Sequence, residues 1–121
     1  MRVFTIKWFT RWAGKEGIDE AALHAAIADI EAGKVVGGHI IKQRVAKPGA
    51  GKSGGWRTLI AIRVEDKAFF VYGFAKNARS NISQHELKTL KAYAKELFGY
   101  SEAQLNKALK AGELDEVENN E

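Results

Sequence analysis

Three strand-like runs follow one another with no helical segment between them: HIIKQRVA (residues 39–46), WRTLIAIRV (56–64) and AFFVYGFAK (68–76). Each is rich in β-branched and aromatic residues, the types that pack well on a pleated surface. Consecutive strands with short connections pair as antiparallel neighbours. The EDK segment between the second and third is short enough for a tight hairpin. The block therefore dictates a three-strand meander whose apolar side must be covered by other elements.

The flanking segments supply the cover. RVFTI (2–6) suits a short strand, and KWFTRWAGKEG (7–17) a short helix with Trp8, Phe9 and Trp12 on one side, ended by Gly14 and Gly17. Asp19 is placed to cap a second helix, in which Ala22, Leu23, Ala26, Ile27 and Ile30 recur at helical spacing before Gly33. After the strands, Ser83-Gln84-His85-Glu86 has the pattern of a capping box, followed by Leu87, Leu90, Ala94 and Leu97 as a buried stripe. Ser101 to Gln104 repeats the pattern and opens a last helix that ends by Gly112. The order is strand, helix, helix, three strands, helix, helix. It predicts an α+β fold: an antiparallel sheet of the N-terminal strand and the meander, with helices packed on one face. One domain is expected over residues 1–112, with residues 113–121 as an acidic, disordered tail.

Charge is distributed unevenly. The formal net charge is +4, but ELDEVENNE (113–121) holds five carboxylates and no cation. Residues 1–112 thus carry 19 cations against 10 carboxylates, or +9. Residues 32–64 contain seven cations and no acid. Such a block attracts a polyanion, with nucleic acid the default. There is no cysteine for disulfides or thiolate metal sites, and no apolar run long enough to span a bilayer. Charges interrupt the apolar residues of the N-terminus, which does not read as a signal peptide. A soluble, cytoplasmic protein is expected, with no membrane partner.

The glycine-rich KPGAGKSGGWR (47–57) ends like a phosphate-binding loop, G-x-x-x-x-G-K-[ST]. The leading position is Ala46, and the following segment is strand-like where a phosphate loop needs a helix N-terminus. Gly49 to Gly55 instead suggest a loose connection between strands. There, backbone amides and the Lys47 and Lys52 ammonium groups can approach an anion. A hairpin loop with solubilising lysines fits as well.

Lys42 and Arg44 lie two apart in IIKQRV and share one strand face. Arg57 opens the next strand, Lys76 closes the third, and Arg79 follows. In a meander these five cations can meet on one face. Clustered cations suit RNA cleavage by the 2′-hydroxyl: they stabilise the phosphorane while a base takes the 2′ proton and an acid protonates the leaving 5′ oxygen. No metal or other cofactor is required. Trp56, beside Arg57, is a candidate for stacking on a base, or a core tryptophan. Asn77 lies between the last two cations and His85 follows them; of the histidines His24, His39 and His85, the last is best placed for a role near RNA. The carboxylates show no metal-binding spacing.

The run IIKQRVAKPGAGKSGGWRTLIAIR, followed by FVYGFAKNARSNIS and a Leu-rich helix, resembles toxins of the RelE/ParE superfamily, in particular the RelE- and HigB-like branch of type II toxin–antitoxin modules. The resemblance covers roughly residues 1–98 and is most specific over 40–82, leaving a helix at about 102–111 outside the usual core. It implies a microbial-ribonuclease-like fold. It also implies cleavage of mRNA on the ribosome without metal, and a cognate antitoxin that neutralises the protein. Carried over by position, Lys42 and Arg44 match the family's basic strand, Arg57 the arginine opening the next strand, and Lys76 and Arg79 the cations near the scissile phosphate. Two positions depart. Asn77 stands where well-known members have arginine, and NISQHE (81–86) lacks their tyrosine, which leaves the general acid and base open. Two other functions compete with RNA cleavage: the gyrase inhibition of the ParE branch, and RNA binding without catalysis.

Overall fold

A computed structural model describes residues 1–33, 38–47, 51–63 and 67–117; the side chains of residues 38, 39 and 51–54 lie outside that description. In chain order the elements are β1 (Arg2–Ile6), α1 (Lys7–Glu16), α2 (Glu20–Ala32), β2 (Gly38–Lys47), β3 (Gly51–Arg63), β4 (Lys67–Ala75), α3 (Gln84–Phe98), α4 (Glu102–Lys110) and β5 (Leu114–Val117). The fold is α+β. Strands β2, β3 and β4 form the antiparallel meander, and the five-stranded sheet has the order β2-β3-β4-β1-β5. One pair departs from the expected antiparallel sheet: β1 runs parallel to β4, with Phe4 opposite Phe69. Arg63 pairs with Lys67 across the second hairpin, whose turn (64–66) lies outside the described residues.

The helix signals work as local chemistry predicts. The Asp19 side chain accepts from the Ala22 amide, and Ser83 with Glu86 and Ser101 with Gln104 form reciprocal capping boxes. Helix α1 runs through Gly14 and stops at Gly17, whose φ of 75° is the left-handed conformation that glycine adopts without a Cβ clash.

Helices cover both faces of the sheet, where one covered face was expected. Phe9 of α1 packs on Phe70, with ring centroids 5.0 Å apart, and Phe98 of α3 packs on Phe69 at 6.2 Å. Phe69 and Phe70 are neighbours on one strand and point to opposite faces. The sheet thus lies between α1 and α3 at its centre, where Phe4, Phe9, Phe69, Phe70 and Ile60 are fully buried.

The expectation of a disordered tail is corrected over Leu114–Val117, which pair antiparallel with β1. Leu114 and Val117 are buried, and the acids between them are partnered. Arg2 grips Glu116 through Nε and Nη2 (2.9 and 3.0 Å) and reaches Glu102 through Nη1 (2.9 Å). Thr10 donates to Asp115 (2.8 Å). Composition alone makes this segment look solvated; pairing with the chain's first strand gives its carboxylates cations and donors. Residues 118–121 lie outside the described residues.

Beyond Phe70, β1 no longer pairs with β4, and α1 takes over that edge. There Gly73 is required by close approach. A Cβ at Gly73 would fall 2.2 Å from the Trp12 indole. This is the end of the sheet where the candidate cations gather.

Candidate nucleic-acid interface

The β2–β3 register puts Arg44 directly opposite Arg57, and Lys42 opposite Leu59. Cross-strand partners share a face, so Arg57 joins Lys42 and Arg44, which their spacing already put together, on one side of the sheet. On β4 the opposite residues are Phe74 for Arg57 and Tyr72 for Leu59. Lys42 and Arg44 are exposed and Arg57 is half-buried. The Nη1 atom of Arg57 is itself buried and has no hydrogen-bond acceptor among the described residues. Like charges directly opposite one another weaken a strand pair, and a buried unpaired donor adds a further cost. Both costs fall at Arg57.

Arg79 is placed differently. Its guanidinium forms a two-pronged pair with Glu86, Nη1 to Oε2 at 2.9 Å and Nη2 to Oε1 at 2.7 Å. Nη1 also donates to the Tyr72 hydroxyl (3.3 Å), Nε donates to the Asn81 carbonyl (2.8 Å), and the group sits over the Phe74 ring at 5.5 Å. Hydrogen bonding to Arg79, reinforced by the Ser83 amide, holds the Glu86 carboxyl down to about 2, and the same pairing pushes Arg79 upward. The charge of Arg79 is therefore largely neutralised within the fold.

Asn81 links the two sets. Its Oδ1 accepts from Lys42 Nζ (2.8 Å) and from the Ile82 amide (2.9 Å), while its carbonyl holds Arg79. The segment after β4 thereby holds the Lys42 ammonium in a groove that Lys42 and Asn81 line together with Ile40, Leu59, Ile82 and Leu87.

The other candidates spread out. Lys76 and Asn77 are exposed in the turn after β4, where the Lys76 amide donates to the Gly55 carbonyl. His85 is exposed in the first turn of α3. Lys47 is exposed at the end of β2, and the Lys52 side chain lies outside the described residues. Trp56 is corrected as a base-stacking candidate: it is 5% exposed, and its Nε1 donates to Glu16 of α1 (2.9 Å). Trp56 and Arg57 are adjacent on a strand, so they face opposite sides. The glycine run is corrected too. Gly51 to Gly55 belong to β3, not to a loose loop, and a Cβ at Gly55 would fall 2.2 Å from the Val45 carbonyl oxygen. Gly51-Lys52-Ser53 lies in a strand, so it does not build the helix N-terminus of a phosphate loop.

Sequence reasoning passed over Tyr72, Phe74, Asn81 and Glu86. The first two could have been found by extending the Arg57 face across the meander. Asn81 and Glu86 had no signal beyond the capping box, because their partners come from other elements. Among the described residues no group of acidic or histidine side chains is arranged to hold a metal, and no helix is long and apolar enough to cross a membrane.

A family model described as the RelE toxin of the RelE/RelB toxin-antitoxin system matches residues 1–117. No curated protein and no solved structure matches the chain.

Proposed function

The chain belongs to the RelE toxin family, and from that premise we propose that it is an endoribonuclease that cleaves mRNA on the ribosome and is neutralised by a cognate antitoxin. The observation that carries the reading is the facing pair Arg44 and Arg57, with the Arg57 Nη1 atom buried and lacking an acceptor. A phosphate bound across the pair would supply the missing acceptor and relieve the repulsion of the two guanidiniums.

In the reaction the RNA 2′-oxygen attacks the adjacent phosphorus, a 2′,3′-cyclic phosphate forms, and the bond to the 5′ oxygen breaks. Arg44 and Arg57 stabilise the extra negative charge of the phosphorane, with Lys42 held beside them by Asn81. Guanidinium groups stay protonated, so proton transfer falls to other groups. Candidates for it on the surrounding elements are Lys42 of β2, Tyr72 of β4 and His85 of α3. Lys76, Asn77 and Lys47 extend the cationic and polar rim along the RNA; Lys52 is a further RNA-binding candidate from the sequence, its side chain outside the described residues. Arg79 acts here by holding the segment that carries Asn81, rather than by touching phosphate.

The test is primer extension on an mRNA translated in a reconstituted system, with DNA supercoiling by gyrase measured in parallel. New 5′ ends that vanish with Arg57→Ala, and unchanged supercoiling, are expected. Inhibited supercoiling with intact mRNA overturns the reading in favour of a gyrase inhibitor. RNA binding without any new ends overturns it in favour of a binding module.

A further inference from the structure

The largest exposed aromatic surface among the described residues lies outside the cation pair. Trp8 of α1 is 44% exposed. Its indole stacks on Tyr72, with centroids 4.7 Å apart and planes 20° apart, and lies nearly parallel to Trp12 at 6.0 Å and 8°. Trp12 is in turn seated on Gly73, and Tyr72 is fixed through its hydroxyl by Arg79. The ring is thus held by contacts with Tyr72 and Trp12 while staying exposed, against the high average burial of tryptophan.

Beside it runs a stripe of cations. Lys7, Arg11 and Lys15 recur every four residues of α1; at about 100° per residue they fall within roughly 80° of arc, next to Trp8 and Trp12. All three are exposed, and none forms an ion pair among the described residues. The one acid of α1, Glu16, bonds to Trp56. The opposite side of the helix is the buried one, through Phe9 and Ala13.

The rings of this surface lead toward the cation pair through the buried Phe74. From Trp8 the rings step to Tyr72 (4.7 Å) and from Tyr72 to Phe74 (6.3 Å), and Phe74 is the strand partner of Arg57. A planar aromatic platform flanked by unpaired cations is what single-stranded nucleic acid needs: a face for a base and charges for its backbone.

We propose that α1 is the docking surface for the substrate RNA strand beside the cleavage point, with a nucleobase stacked on Trp8 and its phosphates tracked by Lys7, Arg11 and Lys15. The proposal rests on the endoribonuclease reading and gives it a direction, from the Arg44–Arg57 pair past Phe74 and Tyr72 onto α1. Lys7, Arg11 and Lys15 act only in binding.

The experiment compares wild type, Trp8→Ala, Trp8→Phe and the triple variant Lys7→Ala/Arg11→Ala/Lys15→Ala. It measures binding to a short fluorescein-labelled single-stranded RNA across a salt series. It also measures cleavage on programmed ribosomes as a function of toxin concentration. Trp8→Ala should bind roughly tenfold more weakly, and half-maximal cleavage should need correspondingly more protein while the maximal rate falls little. Trp8→Phe should recover most of the loss. The triple variant should flatten the salt dependence by about 2 in log–log slope, from about 0.7 per phosphate contact. Circular dichroism and melting temperature check that each variant is folded. If wild type binds RNA and Trp8→Ala binds as well as Trp8→Phe, the docking surface is wrong while the endoribonuclease reading stands. If wild type neither binds nor cleaves RNA, that parent reading fails first. If the Trp8→Ala and triple variants bind and cleave RNA like wild type, α1 does not carry the strand and the proposal is overturned.

Discussion

Arg57 and Arg79 look equivalent in the sequence, two arginines at the ends of neighbouring strands, yet the fold treats them in opposite ways. Arg79 has a carboxylate, a hydroxyl, a carbonyl and an aromatic ring around it. Arg57 faces Arg44 and keeps a buried nitrogen without an acceptor. A cation that the fold satisfies serves the fold. On the proposed reading, a cation left unsatisfied at a cost is held for a phosphate that arrives later. The contrast separates structural from functional charge more sharply than charge counting does.

The largest effect should come from Arg57. If it stabilises the phosphorane as proposed, replacing it with Ala should lower the cleavage rate on the order of 10²- to 10³-fold. The melting temperature should stay level or rise, because a like-charge pair disappears. Arg79→Ala should do the reverse, lowering the melting temperature and leaving cleavage within about tenfold. Cleavage rates and melting curves on the two variants decide the matter. Equal losses of activity with equal stabilities would erase the distinction.

The contrast was only half legible beforehand. The sequence places Lys42 and Arg44 on one face by their spacing, and the register confirms it. The same period-two rule, applied to Trp56 and Arg57, already implies that they diverge, and Trp56 is indeed buried against α1. Helical spacing likewise groups Phe9 with Ala13 and Trp8 with Trp12, but it does not say which stripe the sheet will cover. The structure buries the first and leaves Trp8 exposed, where all three aromatics were expected on one side. The meander and the caps were readable because they depend on neighbours in sequence. Strand β5, the parallel β1–β4 pair and the Arg79–Glu86 pair were not, for different reasons. The β1 pairings join segments far apart in the chain. Glu86 was already explained by its capping box and carried no mark of a second partner. The glycine run misled because a glycine demanded by close approach, as at Gly55, reads like one demanded by flexibility.

A middle-sized effect should appear at Asn81, where the two regions touch. Asn81→Ala removes the acceptor that fixes Lys42 and leaves every cation in place. Losing position without losing charge should cost roughly tenfold in cleavage rate, short of the 10²-fold that a displaced reacting group can cost. RNA affinity should change little. A loss as deep as that of Arg57→Ala would make Asn81 part of the chemistry, and no loss would show that Lys42 needs no holding.

The smallest effect is a pH dependence of stability, and it tests whether Arg79 is truly occupied. The Glu86 carboxyl is lowered from an ordinary 4.5 to about 2, chiefly by its hydrogen bonds from Arg79. A group whose folded pKa is depressed contributes stability that is fully present above its ordinary pKa and is lost as pH falls through the folded value. The wild type should therefore lose this contribution between about pH 4.5 and 2. Glu116, lowered by its pair with Arg2, acts in the same acid range, so the readout is the difference between proteins. In Glu86→Gln the acid-range loss should be smaller, while the loss due to Glu116 persists. Cleavage at neutral pH should fall no further than in Arg79→Ala, since both changes break the same pair. Denaturant unfolding of both proteins across that range measures the difference. Parallel stability curves would mean that the Arg79–Glu86 pair does not persist in solution, and Arg79 would then rejoin Arg57 among the cations open to RNA.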